Sequence, residues 1–207
     1  MEFSSETKTK ILSAAASVFA EHGYRHGTIR QIAKKADVNV AAVNYYFGNK
    51  DNLYQEVLKS WTEEIFKKYP GASEQEQAMT VEDQLFYQIH QILSKLFDEE
   101  QMPWFGVLFV RMFTLESTDQ FGELAESFYK PSVQRIVAIV RKLADKHADE
   151  KLLYFMATDI IGQCVFYYSN RRMLECVLPE KGSTMINVDY LSRKITDFSL
   201  AAIKGIS

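Results

Sequence analysis

Apolar residues recur along this chain every three or four positions, and no β-branched stretch alternates with the two-residue period of a strand. Four prolines and nine glycines interrupt 207 residues. The pattern predicts an all-α protein of about nine helices. Ile11, Ala15, Val18 and Phe19 mark the first helix, and Gly23 suits the left-handed residue that stops one. Thr28-Ile29-Arg30-Gln31 has the reciprocal capping pattern and opens a short helix whose apolar positions are Ile32, Ala33 and Ala36. Asn39 is placed to cap a second short helix through Val43 and Phe47, both expected in the core. A longer helix from near Asn49 carries Leu53, Val57, Trp61 and Ile65 on one face, and Pro70-Gly71 ends it.

Beyond that break, Ser73-Glu74-Gln75-Glu76 reads as another capping box before a helix to about Phe97. Pro103 leads a helix to about Glu116. A long helix is expected from Asp119 to Lys146, bent or broken near Pro131. Another runs from Glu150 to about Leu178. Pro179–Asn187 forms a loop, and Asn187 caps a last helix to about Ile203. The reading splits the chain near residue 70.

Composition keeps the chain among ordinary globular proteins, with 47% hydrophobic and 25% charged residues. The longest stretch without Asp, Glu, Lys or Arg is Val38–Asn49, too short to cross a bilayer. The first ten residues lack the apolar run of a secretory signal, and Cys164 and Cys176 lie too far apart on one expected helix to pair. A cytoplasmic protein is expected. The net charge of −3 argues against nucleic acid until it is divided. Residues 1–55 hold seven basic and five acidic groups, a net of +2, which leaves 17 basic and 22 acidic groups, −5, in residues 56–207. A basic head on an acidic body fits a DNA reader joined to a regulatory part.

Two short helices joined by a tight turn are the geometry that lays a second helix into a major groove. The stretch TIRQIAKKADVNVAAVNYYFGNK, Thr28 to Lys50, closely resembles the N-terminal signature of the tetracycline-repressor (TetR) family across residues 8–58. Two positions depart from that signature: Asp37 stands where the turn normally has Gly, and Asn44-Tyr45-Tyr46-Phe47 replaces the usual Tyr-Tyr-His-Phe. Asp enters left-handed backbone more readily than most residues, so the turn is expected to survive. The resemblance implies a DNA-binding domain over 1–55, a linking helix over 50–69, and a helical ligand-binding and dimerisation domain over 70–207.

The expected DNA-binding residues are Thr28, Arg30, Asn39, Val40, Ala41, Asn44, Tyr45, Tyr46 and Lys50. Val40, Ala41 and Ala42 begin the reading helix and can touch thymine methyls. Asn44 is the polar side chain there able to grip adenine with two hydrogen bonds. Arg30 can reach a guanine or a phosphate. Thr28, Tyr45, Tyr46 and Lys50 are cast as backbone clamps, which position without reading sequence. Adjacent tyrosines on a short helix cannot both be buried.

In the body, aromatics crowd residues 101–129 and 154–168. The helix after Pro103 is apolar all round yet carries Arg111, costly to bury alone. Asp159 and Gln163 sit four apart on an otherwise apolar helix. A few polar groups among aromatics is how small-molecule sites are built. The expected ligand residues are Trp104, Phe105, Leu108, Phe109, Arg111, Met112, Phe128, Asp159, Gln163 and Tyr167, with Arg111 and Asp159 either holding a ligand or pairing with each other. The resemblance implies an inducer pocket here, and the strings Phe128-Tyr129-Lys130-Pro131 and Ile161-Gly162-Gln163-Cys164-Val165-Phe166-Tyr167 resemble the CecR- or CerR-type C-terminal domain.

Surplus apolar faces on the last two long helices place Tyr168, Leu191, Ile195, Phe198 and Ala202 at a homodimer seam, which brings two reading heads to one roughly palindromic operator. The reading is a ligand-responsive repressor of double-stranded DNA, released by a small apolar or aromatic effector, with no cofactor and no metal. The alternative is a helical interaction protein or an enzyme. No Gly-rich phosphate loop, paired His-Glu zinc spacing or nucleophile elbow is present in the sequence. His22 and His26 straddle Gly23 and read as surface residues, and Cys164 as a buried small hydrophobe.

Overall fold

Chain contacts divide the protein into two units, Met1–Lys68 with Met102–Gly122, and Tyr69–Gln101 with Glu123–Ser207. The structure, a computed structural model, describes residues 5–69, 76, 78–100, 104–114, 125–178 and 186–206. Among these residues lie ten α-helices and one π-helical turn.

The first unit contains α1 (Ser5–His26), α2 (Ile29–Lys35), α3 (Val40–Phe47), α4 (Lys50–Lys68) and α6 (Phe105–Thr114). The α1 helix buries Ile11, Ala15, Val18 and Phe19, the periodic positions of the sequence. Gly23 interrupts it as expected: at φ 75 and ψ 168 the residue is non-helical and separates the long first stretch from a short turn that ends at His26. Phe19 packs edge-on against the fully buried Tyr54 of α4, their ring centres 5.0 Å apart. Burial of one such ring contributes roughly 2–3 kcal/mol. At Gly27, between α1 and α2, a Cβ would stand 3.0 Å from the Gly23 carbonyl oxygen and from Phe19 Cδ1, so a side chain there would push its neighbours aside by a few tenths of an ångström.

Both short helices start as their caps dictate. Thr28 Oγ1 accepts from the Gln31 amide at 3.2 Å, and Gln31 Oε1 accepts in return from the Thr28 amide at 2.8 Å. Asn39 Oδ1 accepts from the Ala42 amide at 2.7 Å. Between them Asp37 holds φ 54, the single non-glycine among the described residues in the left-handed region.

The second unit contains α5 (Val81–Leu96), a π-helical turn (Ala125–Tyr129), α7 (Lys130–Leu143), α8 (Glu150–Ser169), α9 (Arg171–Val177) and α10 (Val188–Ile206). Leu85, Ile89 and Leu93 of α5 are fully buried, and α5 packs against α7, α8 and α10. Thr80 caps α5, its hydroxyl accepting from the Asp83 amide at 3.1 Å. The expected capping box at 73–76 and the Pro70-Gly71 break lie, apart from Glu76, outside the described residues.

The described part of the helix expected over 119–146 is a π-helical turn followed by α7, the change falling beside Pro131 as expected; the proline sits in the first turn, where its missing amide removes no helical bond. The helix over 150–178 breaks at Asn170, whose backbone leaves helical geometry at φ −102 and ψ 11 while its amide and side-chain amide both donate to the Phe166 carbonyl at 3.0 Å. Contacts also draw a later segment of the chain into the first unit. The α6 helix buries Phe105 and Leu108 and packs against α1, which assigns it to the first unit.

Candidate nucleic-acid interface

The α3 helix has two faces, and its sequence assigns them. Ala42, Val43 and Phe47 point into the first unit and are buried. Val40, Ala41, Asn44 and Tyr45 lie together on the opposite, exposed side. The outward face is thus small at its start, amide-bearing in the middle and aromatic at its end. Val40 is 39% exposed and Tyr45 71%. Tyr46 is half-buried, its ring edge-on to Tyr45 with centres 5.4 Å apart. Asn39 is exposed, but its side-chain oxygen is engaged as the cap.

Thr28, Arg30 and Lys34 are exposed on α2, Arg30 two residues past the cap. Lys50 is placed differently from a free clamp. Its Nζ donates to the Arg25 carbonyl oxygen at 3.3 Å and stands 4.6 Å from the centre of the Tyr24 ring. Tyr24 donates its hydroxyl to the Asp51 carboxylate. These contacts tie the start of α4 to the end of α1. The roles of Tyr24 and Arg25 had no signal in the sequence, because their partners lie some 25 residues away.

The expected ligand residues fall into both units. In the first, Phe105 and Leu108 are buried, Trp104 and Phe109 half-buried, and the Phe105 and Phe109 rings lie 5.6 Å apart. Arg111 is only half-buried and donates to the Glu21 carbonyl oxygen at 3.1 Å, so the desolvation problem that singled it out is already relieved. The side chains of Met112 and Phe128 lie outside the described residues. In the second unit, Asp159, Gln163 and Tyr167 line a cleft of about 960 Å³ between α8 and α10, together with Phe166 and Phe198.

Three of the expected seam residues are buried within a single chain. Tyr168, Leu191 and Ile195 are 2%, 3% and 1% exposed inside their own unit, so their apolar faces are spent on its core. Tyr168 lies edge-on to Phe97 with ring centres 5.2 Å apart, under the Arg171 guanidinium at 4.3 Å. Phe198 remains 65% exposed, and Ala202 is exposed beside it.

Other reactive groups have structural partners. His90 Nε2 lies 3.1 Å from Asp189 Oδ1, and His90 Nδ1 3.2 Å from Ser94 Oγ, which links α5 to α10. Burial pushes the Cys164 thiol up to about 12, so it stays protonated and unreactive. Among the described residues no three His, Cys, Asp or Glu side chains gather as metal ligands, and no helix is long and apolar enough to cross a membrane.

Comparison with known proteins places this geometry. Residues 11–57 match the family model described as bacterial regulatory proteins, tetR family. Residues 81–203 match the C-terminal domain of the HTH-type transcriptional dual regulator CecR. The HTH-type transcriptional regulator YttP of Bacillus subtilis is 32% identical over 112 residues, 54% of this chain and 53% of that protein. The repressor KstR2 of Rhodococcus jostii is 34% identical over 62 residues, 30% of each chain. The matched region thus spans about half the length of the curated relatives or less. A TetR-like regulator from Rhodococcus sp. RHA1 superposes with a TM-score of 0.72 at 14% identity, over 99% of this chain and 100% of that one.

Proposed function

Because the chain belongs to the TetR family of transcriptional regulators and carries a CecR-type C-terminal domain, we propose that it is a homodimeric repressor that reads a roughly palindromic operator with two copies of α3 and lets go when a small apolar or aromatic effector binds. The observation that carries this reading is the outward face of α3. Val40, Ala41, Asn44 and Tyr45 are exposed there, on a helix whose other face is anchored by Ala42, Val43 and Phe47. Small apolar side chains meet thymine methyls, Asn44 can pair with an adenine edge, and Tyr45, with Thr28 and Arg30, reaches phosphates. Repression is taken as the sign of control because KstR2 bears that name.

The second copy is expected on the α8–α10 surface. Phe155, Phe166 and Phe198 are 66%, 49% and 65% exposed there, and exposed aromatics in such number mark an interaction face. The α4 helix ends at Lys68, the last residue before the second unit begins, and is the covalent lever through which an effector would alter the spacing of the heads. A footprint on the DNA upstream of the chain's own gene tests the reading. Protection is expected over two similar half-sites. Asn44→Ala should relax selection at one base pair per half-site, and Tyr45→Ala should weaken binding to all sequences alike. No protection, or protection untouched by both changes, overturns it.

A further inference from the structure

A second feature of the first unit lies away from the α3 face. A cleft of about 500 Å³ opens between α1, the end of α2 and Trp104. Thr9, Ser13 and Ser17 stand at four-residue spacing and form a hydroxyl stripe along its α1 wall. Thr9 Oγ1 donates to the Ser5 carbonyl at 3.2 Å, the usual outlet for a helical hydroxyl. Ser17 Oγ does not: the residue is 3% exposed, lines the cleft, and its hydroxyl has no hydrogen-bond partner. A buried hydroxyl in that state is destabilising unless something enters to meet it.

Two ammonium groups flank the stripe. Lys35 Nζ stands 5.8 Å from the Trp104 ring centre and 4.0 Å from Glu21 Oε2. Lys10 Nζ lies 2.8 Å from Glu6 Oε1, one turn back on α1. The lysine side chains are 45% and 59% exposed, so both ion pairs are solvent-screened surface pairs that an arriving anion can exchange. Ala14 and Ala36 keep the remaining wall small and apolar. The space is too large for a bare inorganic ion and has one flat aromatic wall. We propose that this cleft binds a small aromatic carboxylate, its ring against Trp104 and its carboxylate between Lys10 and Lys35, accepting from the Ser17 hydroxyl as well. As an effector site the cleft rests on the regulator reading above, whereas binding itself does not.

The chain has two tryptophans, Trp61 and Trp104, so Trp61→Phe leaves Trp104 as the sole fluorescent reporter. Titration of that variant with benzoate should give a saturable change in emission, matched by calorimetry on the native chain. Benzyl alcohol, which has the ring without the charge, should bind at least tenfold more weakly, and inorganic phosphate should bind far more weakly as well. Lys10→Gln with Lys35→Gln should weaken benzoate at least tenfold, and Ser17→Ala several-fold, with helix content and unfolding temperature confirming that each variant folds. No saturable response to benzoate, an equal response to phosphate, or a response indifferent to the lysine changes overturns the proposal. A chain that takes up benzoate but leaves promoter DNA unprotected overturns the regulator reading alone. Protected DNA with no benzoate uptake overturns the cleft alone.

Discussion

Lys50 reaches back across the DNA-binding unit to the carbonyl oxygen of Arg25, 3.3 Å from its ammonium. The contact fixes the entry of α4 against the exit of α1, and the Tyr24 ring beneath the same ammonium adds a cation–π attraction. Lys50→Ala should therefore cost about 1 kcal/mol of stability as well as any DNA affinity. Thermal unfolding should show a drop of roughly 2–4 °C. An unchanged melting temperature would mean that the tie contributes nothing in solution.

Asp37 occupies the left-handed turn between α2 and α3 at φ 54. Asp37→Gly removes the steric cost of a Cβ there and is expected to raise stability by up to about 1 kcal/mol. Asp37→Val should lower it by more than about 1 kcal/mol, since a β-branched residue is an outlier in that region. Denaturant midpoints for the two variants should move in opposite directions from the parent.

Few cations stand on the candidate DNA face, and one of them, Lys50, is already held by a carbonyl. With four to six phosphates neutralised by a dimer, the logarithm of affinity should fall against that of salt with a slope of roughly −4 to −5. Operator binding measured across a salt series checks this, and a slope near −10 would show phosphate contacts beyond Arg30, Lys34 and Lys50.

Gly162 on α8 lies at the proposed seam, and a Cβ added to it meets nothing within 4 Å in a single chain. Gly162→Leu should leave the monomer folded while keeping two copies apart. Phe198→Asp should do the same by placing a charge in the apolar patch. Sedimentation should report monomers with native helix content for both. Dimers that persist in both would move the seam off this surface.

The two cysteines should differ in reactivity. The Cys164 thiol is buried and pushed up to about 12, whereas Cys176 is exposed. An alkylating reagent at pH 8 should modify one thiol per folded chain and two after denaturation, counted by mass spectrometry. Modification of Cys164 at the Cys176 rate would reveal an opening of the α8 core.

What the sequence could disclose was local. Thr28, Asn39 and Asp37 set the boundaries of α2 and α3 through bonds spanning three residues or through a single backbone angle, so they were readable in order along the chain. The outward face of α3 followed from the same periodicity. Tyr168, Leu191 and Ile195 were legible as apolar but not as to what covers them. Helical spacing identifies a face to be buried and says nothing about which neighbour buries it. The break at Asn170 is a departure of one residue from helical angles within an apolar run, and the tie between Lys50 and Arg25 joins segments 25 residues apart.

The first unit is assembled from two separate lengths of chain, because α6 returns to pack on α1 after residues 69–101 have been given to the other unit. Cutting the gene after residue 69 would strip that helix away and leave α1 with bare apolar surface. Anyone grafting this reader onto a foreign sensor would have to transplant residues 102–122 with it, and a simple fusion at the obvious Pro-Gly junction would yield a sticky fragment in place of a working hybrid.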